Sequence, residues 1–119
     1  MKTVLWISRH SMTPEQLADL ERIMGGPVCL RLWRNTVADI ADLAPAMREA
    51  DAVAAVLPPE LLADLLRLAG CKPVFIAVSG RVPTGQTAEG PSEQQEPEFA
   101  FAHRCWRQLL RLEFEARTL

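Results

Sequence analysis

Four short apolar runs, each stopped by polar residues and separated by helix-starting signals, constrain this chain more than any other feature. Thr3 to Ile7 reads as the first strand, and it ends at Ser8-Arg9-His10-Ser11-Met12. Thr13-Pro14-Glu15-Gln16 then opens a helix: Thr13 can cap it, Pro14 suits the first helical position, and Gln16 completes a capping-box pattern. Leu17, Leu20, Ile23 and Met24 recur at helical spacing until Gly25-Gly26-Pro27 stops the run. A second strand spans Val28 to Trp33. Thr36 is the expected cap of the next helix, whose inner face carries Ile40, Leu43 and Met47, with a break expected near Pro45. Asp51 to Leu57 is the third strand, Pro58-Pro59-Glu60 opens a leucine-rich helix that Gly70 ends, and Pro73 to Val78 is the fourth strand, closed by Ser79-Gly80-Arg81.

Strands alternating with helices of about a dozen residues imply parallel neighbours joined by right-handed crossovers. The strands are continuously apolar rather than alternating, which suits a sheet covered on both faces. The expected fold is therefore α/β: a Rossmann-like parallel sheet of four strands, in the order 2-1-3-4, with helices on both faces. Residues 82–97 are rich in Gly, Pro, Glu and Gln and read as a long polar loop. In residues 98–118 the period changes to two. Phe99, Phe101 and His103 alternate with Ala100, Ala102 and Arg104, and Leu110, Leu112, Phe114 and Ala116 alternate with charged residues. That pattern predicts a C-terminal antiparallel β-hairpin, at the sheet edge or across a dimer interface. His103, on its apolar side, reads as a packed histidine.

Residues 1–119 fit one Rossmann-like α/β domain, long enough to bury a core without staples. The formal net charge of -2 argues against gripping duplex nucleic acid by its phosphates. Three scattered cysteines with no CxxC spacing point to neither a disulfide framework nor a metal site, and reduced thiols packed as small hydrophobes are expected. The first apolar run is too short for a signal peptide, and no stretch of about 18 apolar residues could span a membrane. A cytoplasmic protein is the resulting expectation.

In a doubly wound sheet, ligands bind beyond the carboxyl ends of the strands, where the strand order reverses. That point falls here between strands one and three, at the loops Ser8 to Thr13 and Leu57 to Glu60, flanked by Arg34 to Thr36 and Ser79 to Arg81. Three of these four loops carry an arginine: Arg9, Arg34 and Arg81. Hydroxyls and an amide accompany them in Ser8, Ser11, Thr13, Asn35, Thr36 and Ser79, and helix N-termini add donors for anions. The combination points to a phosphate-bearing ligand held without cofactor or metal. His10 is placed to transfer protons near neutral pH, and Glu60 is either a base or a complement to its helix dipole. Neither GxGxxG nor GxxxxGK[ST] follows a strand, which disfavours standard dinucleotide and P-loop sites. The three tryptophans read as packing residues.

Several of these segments together resemble the small CRISPR-associated, CARF-like Rossmannoid proteins of type III systems, some of them ring nucleases. They are Ser8-Arg9-His10 after the first strand, the Thr13-Pro14-Glu15-Gln16 helix start, Val56-Leu57-Pro58-Pro59-Glu60-Leu61-Leu62, and Val78-Ser79-Gly80-Arg81. The resemblance covers roughly the first 80 residues. It implies antiviral defence, a homodimer, and binding of a cyclic oligoadenylate, above all cyclic tetra-adenylate. It further implies metal-independent cleavage in which a ribose 2′-hydroxyl attacks the adjacent phosphate. Arg9 and Arg81 would stabilise the phosphate charge, His10 would move the proton, and Ser8, Ser11 and Ser79 would position the ligand. Thr13, Arg34, Asn35, Pro58, Glu60 and Gly80 complete the expected binding rim.

A shorter resemblance links Arg9-His10-Ser11-Met12-Thr13 to the Arg-His-Gly-x-Thr motif of the histidine phosphatases, with Ser11 standing where that motif has glycine. A non-catalytic module that docks a partner through its C-terminal hairpin is the remaining alternative.

Overall fold

The computed structural model describes residues 1–89, 95–112 and 117–118, with 81–89 and 95–101 described through their backbone. The elements are β1 (Lys2–Ile7), α1 (Pro14–Met24), β2 (Val28–Trp33), a 3₁₀ turn (Ile40–Leu43) running into α2 (Ala44–Glu49), β3 (Ala52–Ala55), α3 (Pro59–Ala69), β4 (Val74–Glu89) and β5 (Gln95–Gln108). They build a mixed five-stranded sheet in the order β2-β1-β3-β4-β5. The first four strands in that order run parallel, and β5 joins β4 antiparallel. This is the expected α/β architecture and strand order.

Local chemistry sets the helix ends. Thr13 accepts from the Gln16 N–H and its own N–H donates to the Gln16 side chain, so the capping box forms as the spacing predicts. Gly25 stops α1 in the left-handed region at φ 82°, which a residue with a Cβ rarely adopts. Pro45 sits in the first turn of α2, where its missing N–H costs nothing, and the segment splits there into the 3₁₀ turn and the short helix. Asp39, not Thr36, caps that turn by accepting from the Ala41 N–H.

Two apolar layers enclose the sheet, and alternation along the strands decides which residues join each. Leu5 and Ile7 of β1 and Val53 and Ala55 of β3 pack with Ile40, Leu43, Met47 and Leu65 beneath α2 and α3. Val4, Trp6, Ala52 and Ala54 point the other way, against Leu20 of α1 and against Phe75 and Trp106. Every residue of β3 is buried, as a central strand demands. The edge strand β2 departs from the expected full coverage: Cys29 and Arg31 are exposed, and Leu32 is 50% exposed. The three cysteines are free, but Cys29 and Cys71 are exposed rather than packed. Cys29 lies on that edge and Cys71 follows the end of α3. Among the described residues, no helix is long and apolar enough to cross a membrane.

The largest correction lies in the C-terminal third. The expected strand end at Val78 and the described residues of the expected polar loop over 82–97 are instead strand, β4 running to Glu89 and β5 starting at Gln95; residues 90–94 of that loop lie outside the described residues. Strand β3 stops pairing at Ala55↔Ile76, while β4 continues beside β5 as far as Glu89↔Gln95. At about 3.3 Å per residue, this two-stranded arm runs on for about 40 Å past the parallel sheet. The hairpin expected within 98–118 is therefore one built from β4 and β5, and Leu109–Leu112 is not strand. The proposed partner strand at Phe114 and Ala116 falls outside the described residues. An antiparallel ladder joins backbones, so a segment with little to bury can still be strand when its partner is at hand.

At the base of the arm the register slips between Val78 and Ser79. Val78 faces Cys105 and Ser79 faces His103, leaving Arg104 as the extra residue of a β-bulge. The Arg104 guanidinium lies over Gly80, in the space a Cβ there would fill.

Candidate functional site

The chain leaves β1 at Ile7 and turns at once. Ser8, only 8% exposed, donates its N–H to the Trp33 carbonyl at 3.2 Å, which ties the loop after β1 to the end of β2. Its Oγ then accepts from the His10 N–H at 3.1 Å. From the opposite side, the Trp6 indole donates to the His10 carbonyl at 2.9 Å. The peptide of His10 is thus fixed at both ends while its side chain stays exposed at the carboxyl edge of the sheet.

Two arginines lace this loop to the one after β2. Arg9 reaches across to the Thr36 Oγ1 at 2.7 Å, and Arg34 reaches back to the Ser11 Oγ at 3.2 Å. Both are exposed, and among the described residues neither holds a carboxylate. By contrast, Arg22, Arg31 and Arg67 each pair with an acid: Asp19, Glu49 and Asp64 respectively. A guanidinium has five N–H donors, and one bond to a neutral hydroxyl leaves both its charge and most of its donors available.

A cavity of about 330 Å³ opens between these loops and the start of α3. Ser8, Arg9, His10, Asn35 and Thr36 form its polar side. Ile7, Val37, Val56, Leu57, Pro58 and Leu61 form an apolar wall, in which Val56 is 57% exposed. The volume falls within the usual range for small-molecule pockets, about 300–1,000 Å³. The cavity lies where β1 and β3 end side by side, with α1 on one face of the sheet and α3 on the other. A flat apolar group can lie on the wall while an attached anion meets the Arg9 guanidinium.

Of the residues singled out in the sequence, the structure gathers Ser8, Arg9, His10, Asn35 and Pro58 around the cavity; Ser11 and Arg34 bond each other across the same two loops but do not line it. Others go elsewhere. Thr13 is engaged in capping α1, whose first turn holds a proline and Glu15, so that helix start offers little to an anion. Among the described residues no side chain caps α3, whose start borders the cavity. Glu60 lines a separate groove between α3 and Leu110–Leu112. Ser79 and Gly80 sit within the arm opposite His103 and Ala102, not at a strand end, because β4 continues past them. Arg81 pairs through its backbone with Phe101, and its side chain falls outside the described ones.

Thr36 takes the place expected of it among the site's hydroxyls but not as a helix cap, and Trp6 packs in the core as expected while its indole N–H also holds the His10 carbonyl. The residue types were visible; the pairings across strands that give them their roles were not. Among the described residues, no group of His, Cys, Asp and Glu is placed to hold a metal ion. Compared with known proteins, the chain matches no family model, no curated protein and no solved structure.

Proposed function

We propose that this rim binds a cyclic oligoadenylate, cyclic tetra-adenylate first among them, and cleaves it without a metal ion. The observation that carries the reading is Arg9, which lines the cavity and spends one donor on the neutral hydroxyl of Thr36, with Arg34 on the neighbouring loop likewise bonded to a hydroxyl, that of Ser11, so that both keep charge and donors to meet phosphate. The apolar wall beside them suits a nucleobase. Cleavage forms a bond from the ribose 2′-oxygen to phosphorus and breaks the bond to the 5′-oxygen, leaving a 2′,3′-cyclic phosphate and a 5′-hydroxyl. His10 takes the 2′-hydroxyl proton, the departing 5′-oxygen takes one from water, and Arg9 steadies the charge that builds on the phosphate. Arg81 joins it in the reading drawn from the CARF-like resemblance. That resemblance also supports a cytoplasmic homodimer acting in type III CRISPR defence, since a two-fold axis suits a cyclic tetramer.

Incubation of the protein with cyclic tetra-adenylate in EDTA, followed by chromatography, tests this. Linear product is expected from the native protein. His10→Ala should abolish it, and Arg9→Ala should weaken binding by about tenfold to a hundredfold, the range for a charge-assisted hydrogen bond. Absence of both binding and product would refute the reading.

A second reading rests on the arm, whose two strands after Ile76 pair, among the described residues, only with each other. A non-catalytic interaction module would use that arm to dock a partner. It would be indifferent to His10→Ala and Arg9→Ala and would lose partner binding on Phe101→Ala.

A further inference from the structure

The His10 loop is held by a residue rooted deep in the sheet. Trp6 is 2% exposed, and its Nε1 rises from the α1 face to donate to the His10 carbonyl at 2.9 Å. The Trp6 ring is fixed in turn by Trp106 of β5, which meets it edge-on with centroids 5.8 Å apart and planes at 85°. Trp106 donates its own Nε1 to the Gln16 carbonyl of α1 at 2.9 Å. One step further along β5, the His103 ring lies 5.7 Å from Trp106 and bonds the Asp19 carboxylate at 2.9 Å. A continuous series of contacts therefore runs from the base of the arm to the loop after β1.

We infer that Trp6 is a positioning residue for His10, and that the docking of β5 on α1 sets Trp6 in place. Drawing the arm base away from α1 then loosens the His10 loop, although the two lie on segments far apart in the chain. The inference takes its readout of activity from the cleavage proposed above, but its geometry is independent of it. An indole N–H is a donor only, and buried within the sheet it has one outlet, the carbonyl of an otherwise exposed loop. With that bond and the bond from the His10 N–H to Ser8, the His10 peptide is constrained at both ends. Removing the donor frees one end while leaving the ring to fill the core.

Trp6→Phe in the full-length protein separates the two roles. Amide exchange at His10 should rise about two- to tenfold, the range of one net hydrogen bond, and kcat for cyclic tetra-adenylate cleavage should fall by a similar factor with KM little changed. Trp106→Phe should move exchange at His10 in the same direction. Trp33→Phe is the control, because the buried Trp33 Nε1 has no partner among the described residues and its loss breaks no bond seen there. Native exchange at His10 in Trp6→Phe, or an equal rise in Trp33→Phe, would overturn the inference, whatever the activity. If the native protein neither binds nor cleaves cyclic tetra-adenylate, the exchange comparison still decides the role of Trp6.

Discussion

Trp106 is the point at which the last strand is fastened to the body of the protein, and its replacement gives the sharpest test of that docking. The side chain is 7% exposed, packs on Trp6 and bonds the Gln16 carbonyl. Truncation to alanine removes a buried indole and leaves a void, a change that costs about 3–5 kcal/mol when the surroundings relax only in part. Replacement by phenylalanine keeps most of the apolar contact and removes the N–H. The Gln16 carbonyl lies within the helical ladder of α1, so losing this donor does not orphan it, and the hydrogen bond contributes near the low end of about 0.5–1.5 kcal/mol. Adding part of the edge-on contact with Trp6, worth about 0.5–1.5 kcal/mol, puts Trp106→Phe at about 1–2 kcal/mol. For a chain of this length each kcal/mol moves Tm by about 4 °C. Trp106→Ala should therefore melt about 12–20 °C below the native protein and Trp106→Phe about 4–8 °C below it. Thermal unfolding followed by circular dichroism, with urea titration to verify an unchanged slope, measures both. A Trp106→Ala variant within about 1 kcal/mol of native would refute the reasoning, since a buried, bonded indole cannot be that inexpensive to remove.

Other perturbations probe separate parts of the structure. The Asp19 carboxylate is held below its usual pKa, first by its hydrogen bond with His103 and then by that with Arg22. A lowered folded-state pKa gives stability that is present above the unfolded value of about 3.9 and is lost as the pH falls through the folded value. Urea titrations from pH 6 down to pH 2.5 should therefore show a steeper acid loss in the native protein than in Asp19→Asn, and parallel curves would contradict the pairing. Thr13→Ala should cost about 1 kcal/mol through the lost cap, with Thr13→Ser restoring most of it, as read by Tm; unchanged ligand binding in Thr13→Ser and Thr13→Ala alike would mark the residue as structural. Gly80→Ala should be nearly neutral in Tm: its Cβ displaces only the far end of the exposed Arg104 side chain, and the lower entropy of alanine in the unfolded chain offsets that disturbance. A loss of several kcal/mol would mean that Arg104 is held there more firmly than an exposed side chain should be.

What the sequence determined by itself is everything set by neighbours along the chain. The capping box at Thr13 and Gln16, the helix stop at Gly25 and the break at Pro45 depend on residues within a turn of one another, and the structure keeps all three. The alternation of apolar strands and helices likewise dictated a parallel sheet and, through the reversal between β1 and β3, the edge at which a cavity opens. Tertiary structure decided the rest, wherever a residue's role depends on a partner remote in sequence. The strand character of the polar stretch after Val78 comes from backbone pairing with β5, which no local hydrophobic pattern encodes. The bonds of Arg9 to Thr36, Arg34 to Ser11 and Trp106 to Gln16 are likewise fixed only when separate elements meet. Local propensity is written in adjacent side chains, whereas a hydrogen bond between distant segments exists only after the sheet has brought its two ends within 3 Å or so of each other.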